Sequence, residues 1–302
     1  MKKAQAKKIL DELISKFADE MNIINFNTHL ANSAFKKNYD NFLSHKYPII
    51  NSNIELPIMG TNINIMNPFN NSKSVSFGDL HASGPEVGDL LIDNLNGFNR
   101  LQIVLAFETI ARYYFGLYAA FGYLDKNLWS CEDFGEIRMK DVKNKKLDWF
   151  KNQVIKSKSG KKITIKKILK SIRNNFSEFE VHEKKGDVFL RLWIFFVEIM
   201  RNAIVHNQSI LPLDIYHLLE KSGYSFVGRS ALNKKSMIER YLEYKNDHYE
   251  ILTIKSRDVK PPYHFLSKPT QEIINKLCMH SYLAYNVTIK HFGQTSIWNT
   301  GY

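Results

Sequence analysis

The run VFLRLWIFFVEIM, residues 188–200, is the most apolar stretch of the chain, and it leads directly into RNAIVHN, residues 201–207. A helix built to be buried therefore ends in an arginine, two asparagines and a histidine. At 100° per residue, Arg191, Glu198, Arg201, Asn202 and His206 fall within an arc of roughly 140°, while Phe189, Leu192, Trp193, Phe196, Ile199, Met200, Ala203 and Ile204 cover the remainder. Most of the circumference is built to pack, and the polar groups share one slot. Two readings stand side by side. In the structural one, Arg201 pairs with Glu198 or Glu108 while Asn202 and His206 close the helix end, where cations also suit the dipole. In the functional one, the slot is a site.

The rest of the chain is able to bury such a helix, with 302 residues, 44% of them hydrophobic and 13% aromatic. A formal charge of +12 and a pI near 9.4 favour a polyanionic partner or, equally, a lysine-rich solvated surface. The start, MKKAQAKKILDELISKFADEM, lacks an uninterrupted apolar core and a small-residue cleavage site. It reads as an amphipathic helix with Ile9, Leu10, Leu13, Ile14 and Phe17 on one stripe, not as a secretory signal. Cys131 and Cys278 are far apart and outside any zinc or redox spacing, so the expected compartment is the reducing cytoplasm. LQIVLAFETIARYYFGLYAAFGYL and the run before the motif are long enough to resemble membrane spans. Glu108 and Arg112 in one, and Arg191 and Glu198 in the other, are costly in a bilayer, so both are read as core helices.

Along the chain, three divisions are expected: residues 1–97, an N-terminal helix and an irregular region; 98–292, a helical domain with an insertion at about 125–186; and 293–302, a tail. Residues 27–97 carry short β-like pieces, IELPIM and TNINIM, and loop signals such as NPFNNSKS, consistent with a hairpin. SGPEVGDLLIDNLNGF starts a helix with Ser83 as a cap, and a first long helical pattern covers 98–124. After the motif helix come a short helix in LPLDIYHLLEKSG and a small β-hairpin of YSFVG with HYEILTIKSRDV around a helix, SALNKKSMIERYLEY. A last long helix, KPTQEIINKLCMHSYLAYNVTIKHF, stops at Gly293. The expected fold class is mainly α: a helical bundle with a lysine-rich helical insertion, a small β-hairpin and a mixed N-terminal region.

Between residues 138 and 173 lysines recur among isolated aromatics and aliphatics. One reading is a solvated amphipathic pair of helices joined by SKSGKK. The other is a face that tracks phosphates through Lys161, Lys162, Lys166 and Lys167, with Trp149 or Phe150 stacking a base.

Arg201, Asn202 and His206 have the form Arg-Asn-x-x-x-His near a helix end, and this resembles the signature of the HEPN superfamily, whose general form is Arg, four to six residues, then His. The layout is also similar, with a first long helix carrying Glu108 and Arg112, an insertion, the motif helix and a terminal long helix. The large insertion and the region before Glu86 depart from compact members. The resemblance implies a metal-independent endoribonuclease without a cofactor, cutting single-stranded RNA to leave a 2′,3′-cyclic phosphate and a 5′-hydroxyl. It also implies a homodimer in which two motif helices line one composite cleft, and a toxin or antiphage defence role, with an antitoxin or regulatory partner.

Each residue type suits that reaction. His206 can exchange protons near neutral pH, and Arg201 offers a charged planar fork to phosphate oxygens. Asn202 shares the face of His206 and could fix the imidazole or touch phosphate. Glu108 could orient Arg201 or His206, or simply pair with Arg112. The rival class is a non-catalytic HEPN-like module that binds RNA or protein.

Other constellations are weaker. His81, His182, His217, His248, His264, His280 and His291 show no HxxxH or HExxH spacing, so no catalytic metal is expected. SKSGKKI lacks the GxxxxGK[ST] pattern of a phosphate loop, and GDLHASG reads as a loop.

Overall fold

The computed structural model describes residues 2–44, 56–57, 63–67, 70–77, 81–82, 84–134, 139–155, 163–184, 190–221, 235–236, 238–245, 247–251 and 268–295. Its elements are mainly helical: α1 (Lys2–Ser44), α2 (Gly84–Leu124), α3 (Met139–Val142), α4 (Leu147–Ile155), α5 (Ile165–Asn175), α6 (Ser177–Lys184), α7 (Leu190–His206), α8 (Ile215–Lys221) and α9 (Lys268–His291). No helix among the described residues is long and apolar enough to cross a membrane.

The chain divides into two compact units. One comprises Met1–Thr28, Arg100–Thr253 and Lys268–Tyr302; the other comprises His29–Asn99 and Ile254–Ser267. The reason is the stripe on α1. Leu10, Ile14, Phe17, Met21 and Ile24 recur at alternating spacings of four and three and are buried in the same core as α2, α7 and α9. The first 28 residues are thus part of the larger unit.

In that unit α2 is buried almost all round between Ile110 and Phe121. The other core walls are Leu192–Val197 with Met200 and Ala203 on α7, and Ile273, Ile274, Leu277, Ala284 and Tyr285 on α9. Both apolar runs that resembled membrane spans are therefore core helices. Gly122 sits where two rings close on α2: a Cβ there would stand 2.4 Å from Trp129 Cε2 and 2.8 Å from Phe150 Cδ1. Trp129 in turn stacks on Tyr118 at 5.4 Å and donates from Nε1 to the Tyr118 carbonyl.

The lysine-rich insertion folds as α3 to α6. Thr164 caps α5 by accepting from Lys167 N, and Ile165, Ile168, Leu169 and Ile172 turn one face of that helix into the core. Lys166 and Lys170 face solvent.

A three-stranded antiparallel sheet, in the order β5 (Ile210–Leu211), β7 (His248–Ile251), β6 (Leu242–Lys245), completes the larger unit. The expected hairpin paired HYEI with YSFVG, which lies outside the described residues. HYEI instead pairs with LEYK, residues that had been read as a helix end. Burial falls along β6 from Leu242, which is buried, to Tyr244, which is exposed, and Tyr244 meets Tyr249 across the pair at 5.3 Å.

In the smaller unit the region read as irregular is largely ordered differently. α1 continues to Ser44, and the helix start at Gly84 runs unbroken into the long pattern to Leu124. β2 (Ile63–Asn67) pairs with β3 (Asn70–Phe77), and β1 (Leu56–Pro57) pairs with β4 (His81–Ala82). NNSKS, read as loop, is therefore strand, and His81 lies in β4 rather than in a loop. Phe35, Ile92 and Leu95 form a small apolar cluster there.

Candidate functional site

α7 ends at the motif because its backbone cannot continue. Asn207 N still donates to Ala203 O (2.9 Å), but Gln208 (φ 52°) and Ser209 (φ 70°) then take left-handed conformations. Ser209 N donates back to Ala203 O (3.0 Å), and the chain turns into β5. Ile251 N donates to Ser209 O, and Arg100 Nε on α2 donates to Ile251 O (2.8 Å). This ties the sheet to the start of the α2 segment in this unit.

Eight residues further along α2, Glu108 meets Arg201. Glu108 Oε1 accepts from Arg201 Nε (2.8 Å) and lies 2.6 Å from the second terminal nitrogen, while Arg201 Nη1 donates to Asn202 Oδ1 (3.1 Å). α2 and α7 therefore run antiparallel here. Of the five guanidinium N–H groups, these contacts use three and leave two. Arg112, the alternative partner of Glu108, instead donates to Glu20 (2.7 Å) and Thr109 (2.9 Å).

Asn202 and His206 are exposed on the α7 surface, and His206 has no hydrogen-bond or ionic partner among the described residues. It lies about 7.5 Å along the axis from Arg201. Val205, between them on the same face, is 47% exposed, and Leu101 and Leu105 on the adjoining stretch of α2 are 51% and 42% exposed. The polar slot thus opens among surface aliphatics.

Glu198 is half-buried on the same stripe. Burial pushes its carboxyl above the ordinary range, and the Lys166 ammonium and the Arg201 guanidinium only partly offset this. The influence of Lys166 on Glu198 brings one insertion lysine within electrostatic reach of the motif helix. Lys167 does not present a spare cation: it is ion-paired to the buried Asp133. Asp133 also accepts from Tyr118 Oη (2.5 Å) and Ser130 Oγ (2.6 Å). Burial would raise the Asp133 carboxyl, but the hydrogen bonds from Lys167, Ser130 and Tyr118 win and hold it low. Lys161 and Lys162 lie outside the described residues. Phe150 is buried edge-on against Trp149, Trp129 and Tyr123 and is closed to a base; Trp149 is half-buried.

A second polar cluster was not legible beforehand. Glu183 on α6 is buried and accepts from Arg173 Nε (2.7 Å) and a terminal nitrogen (2.8 Å); His280 Nε2 stands 2.9 Å from it, and His280 Nδ1 is hydrogen-bonded to Tyr114 Oη. Burial would raise the Glu183 carboxyl, but hydrogen bonds from Arg173 and His280 prevail and bring it to about 2. The network joins α2, α5, α6 and α9, with Glu183, His280 and Tyr114 buried and Arg173 reaching the surface at its edge. Cys278 is half-buried, and desolvation raises its thiol to about 11 and leaves it a poor nucleophile. Among the described residues no three His, Cys, Asp or Glu side chains converge in a way that could hold a metal ion.

Compared with family models, with curated proteins and with solved structures, the chain matches none.

Proposed function

We propose that this protein is a metal-independent HEPN-type endoribonuclease that cuts single-stranded RNA. The observation that carries the proposal is the division of labour at the end of α7. Arg201 is fixed by Glu108 and Asn202 with two N–H groups to spare, and about 7.5 Å further along the helix the His206 imidazole is exposed, without a partner among the described residues. RNA carries its own nucleophile. The 2′-oxygen would bond to phosphorus while the bond from phosphorus to the 5′-oxygen breaks. The proton lost by the 2′-hydroxyl goes to a base, and the leaving 5′-oxygen receives one from an acid. His206 fits the proton-transfer role, and Arg201 fits the stabilisation of charge on the equatorial oxygens. The products are a 2′,3′-cyclic phosphate and a 5′-hydroxyl.

The exposed Leu101, Leu105 and Val205 beside the slot support a second part of the reading: a homodimer in which this face meets its own copy, so that each chain supplies an Arg and a His to one cleft. A toxin or antiphage role, with an antitoxin or regulatory partner, rests on the family resemblance alone. One observation favours the rival reading, a non-catalytic binding module: Arg201 is already ion-paired to Glu108, as a structural arginine would be.

Unstructured RNA incubated with wild type and with His206→Ala in EDTA separates the two. The nuclease reading expects cleavage by wild type only, with a cyclic phosphate at the new end and no cut at a position made 2′-deoxy. Binding without cleavage by wild type would establish the module instead.

A further inference from the structure

Arg201 has two carboxylates near it and bonds one of them. Its ion pair goes to Glu108 on α2, 93 residues away in sequence, at 2.8 and 2.6 Å. Glu198 stands three residues back on the same helix, a spacing at which an acid and a base ordinarily meet. It is passed over, and it has no hydrogen-bond or ionic partner among the described residues.

A carboxylate in that state is costly. Glu198 is half-buried, so it loses part of its hydration, and Lys166 on α5 and Arg201 act on it only through space. The other buried carboxylates of this unit are treated differently. Glu183 accepts twice from Arg173 and Asp133 accepts from Ser130 Oγ, so each is matched with donors. Neither oxygen of Glu198 is among the buried polar atoms that lack a partner, so the carboxyl opens to solvent. It keeps two oxygens and about four lone-pair directions for donors from outside the chain.

Its position decides what those donors are. Lys166 is exposed and Arg201 has two N–H groups left, and both suit phosphate oxygens. A carboxylate beside them repels phosphate, so a surface for the sugar–phosphate chain alone gains nothing from it. Glu198 lies about 4.5 Å along the axis from Arg201, close enough for one nucleotide to span both. A strand with a phosphate on Arg201 therefore brings a neighbouring base to Glu198. On its pairing edge uracil offers one N–H between two carbonyl oxygens, which a carboxylate repels. Cytosine and adenine each offer an amino group beside a bare ring nitrogen. Guanine offers N1–H and N2–H side by side, the match for two carboxylate oxygens.

We propose that Glu198 reads a guanine next to the cleaved phosphate, its two oxygens accepting from N1–H and N2–H while Arg201 holds the phosphate. The inference rests on the nuclease reading for the place of that phosphate. It extends that reading to a substrate class, single-stranded RNA with guanine beside the cut.

The test is binding, which needs no cutting. Fluorescence anisotropy of the full chain is measured with a 2′-O-methyl uridine heptamer and with the same strand carrying one central guanosine or one central inosine, which lacks the N2 amino group. Wild type is expected to bind the guanosine strand at least roughly tenfold more tightly than the uridine strand, with the inosine strand between them. Glu198→Gln and Glu198→Ala should each bring that ratio close to one while keeping a melting transition. Lys166→Gln should weaken all three strands alike and leave the ratio unchanged. No guanosine preference in wild type, inosine bound as well as guanosine, a preference that survives in folded Glu198→Ala, or no binding of any strand would overturn the proposal. Loss of the melting transition in both Glu198 variants would make Glu198 a structural residue and overturn it as well. Cleavage is read separately on unmodified strands. Wild type that discriminates without cutting keeps the base-reading site and removes the nuclease, and wild type that cuts without discriminating does the reverse.

Discussion

Arg201 on α7 reaches across to Glu108 on α2, 93 residues earlier, and both nitrogens on that edge of its guanidinium lie within 2.8 Å of the same carboxylate oxygen. The pair is part-exposed, so its contribution to stability is small, about 0–1 kcal/mol. Its larger effect is to set the direction of the remaining two N–H groups. Glu108→Gln is therefore expected to leave the melting transition nearly unchanged and to lower kcat on RNA more than it raises KM. A large loss of Tm with unchanged turnover of the folded fraction would make Glu108 a packing residue only.

His206 has no hydrogen-bond or ionic partner among the described residues, so His206→Ala should shift stability by no more than about 0.5 kcal/mol. On the nuclease reading it should slow cleavage by roughly 10² to 10⁴. Arg201→Ala should also abolish cutting, at a small cost in stability. If two chains share the cleft, mixing the two variant proteins will restore part of the activity through heterodimers. Wild-type rates in either single variant would refute the assignment.

Lys166 and Lys167 are neighbours in sequence with opposite expected behaviour. Lys167→Ala removes a partner of the buried Asp133 carboxylate and should cost about 1–3 kcal/mol. Lys166→Ala removes an exposed cation, should leave the melt unchanged, and should reduce the salt dependence of RNA binding by about one phosphate contact. Paired melting and salt-titration curves of the two variants check both halves, and similar behaviour would remove the distinction.

Glu183 should govern part of the acid limb of stability. Its carboxyl lies at about 2 in the folded chain, below the ordinary range it regains on unfolding. The stabilisation is therefore full above that ordinary range and is lost as pH falls through it towards about 2. Glu183→Gln leaves Arg173, whose side chain is 11% exposed, without its counter-charge and should cost on the order of 1–3 kcal/mol at neutral pH. Denaturant melts between these pH limits should show a flatter acid limb in the variant. Parallel curves for the two proteins would locate the acid sensitivity elsewhere.

The sequence made the core helices legible where apolar spacing was dense. The stripe from Leu10 to Phe17, the α7 run and the stop at Gly293 all follow from periodicity and cap chemistry. α1 was read too short because its outer half is rich in Asn and Ser, and the Gly- and Asn-rich start of α2 masked its continuity with the long pattern to Leu124; these residues have weak helix propensity that tertiary context overrode. Gly97 in mid-helix is one such residue; the space its side chain would fill is open. The β6–β7 hairpin did carry a signal, Asn246-Asp247 between LEYK and HYEI, and Asp247 is left-handed there (φ 61°). The strong helix formers before it masked that signal. At the motif, the polar slot could be drawn from a helical wheel, but the choice of Glu108 over Glu198 as the partner of Arg201 could not. Such choices depend on how two helices cross, as does the meeting of Arg173, Glu183, His280 and Tyr114 from four elements.

Gln208 and Ser209 hold left-handed backbone without being glycine, immediately after His206. Residues in such conformations cost on the order of 1 kcal/mol or more each. Glycine at either position would relieve that strain, so a search for more heat-resistant variants should find some here. The same replacement loosens the corner from which the imidazole and strand β5 are both suspended. Thermostability and the positioning of His206 would then pull in opposite directions at two adjacent positions, and random variation selected for one trait alone would discard the other.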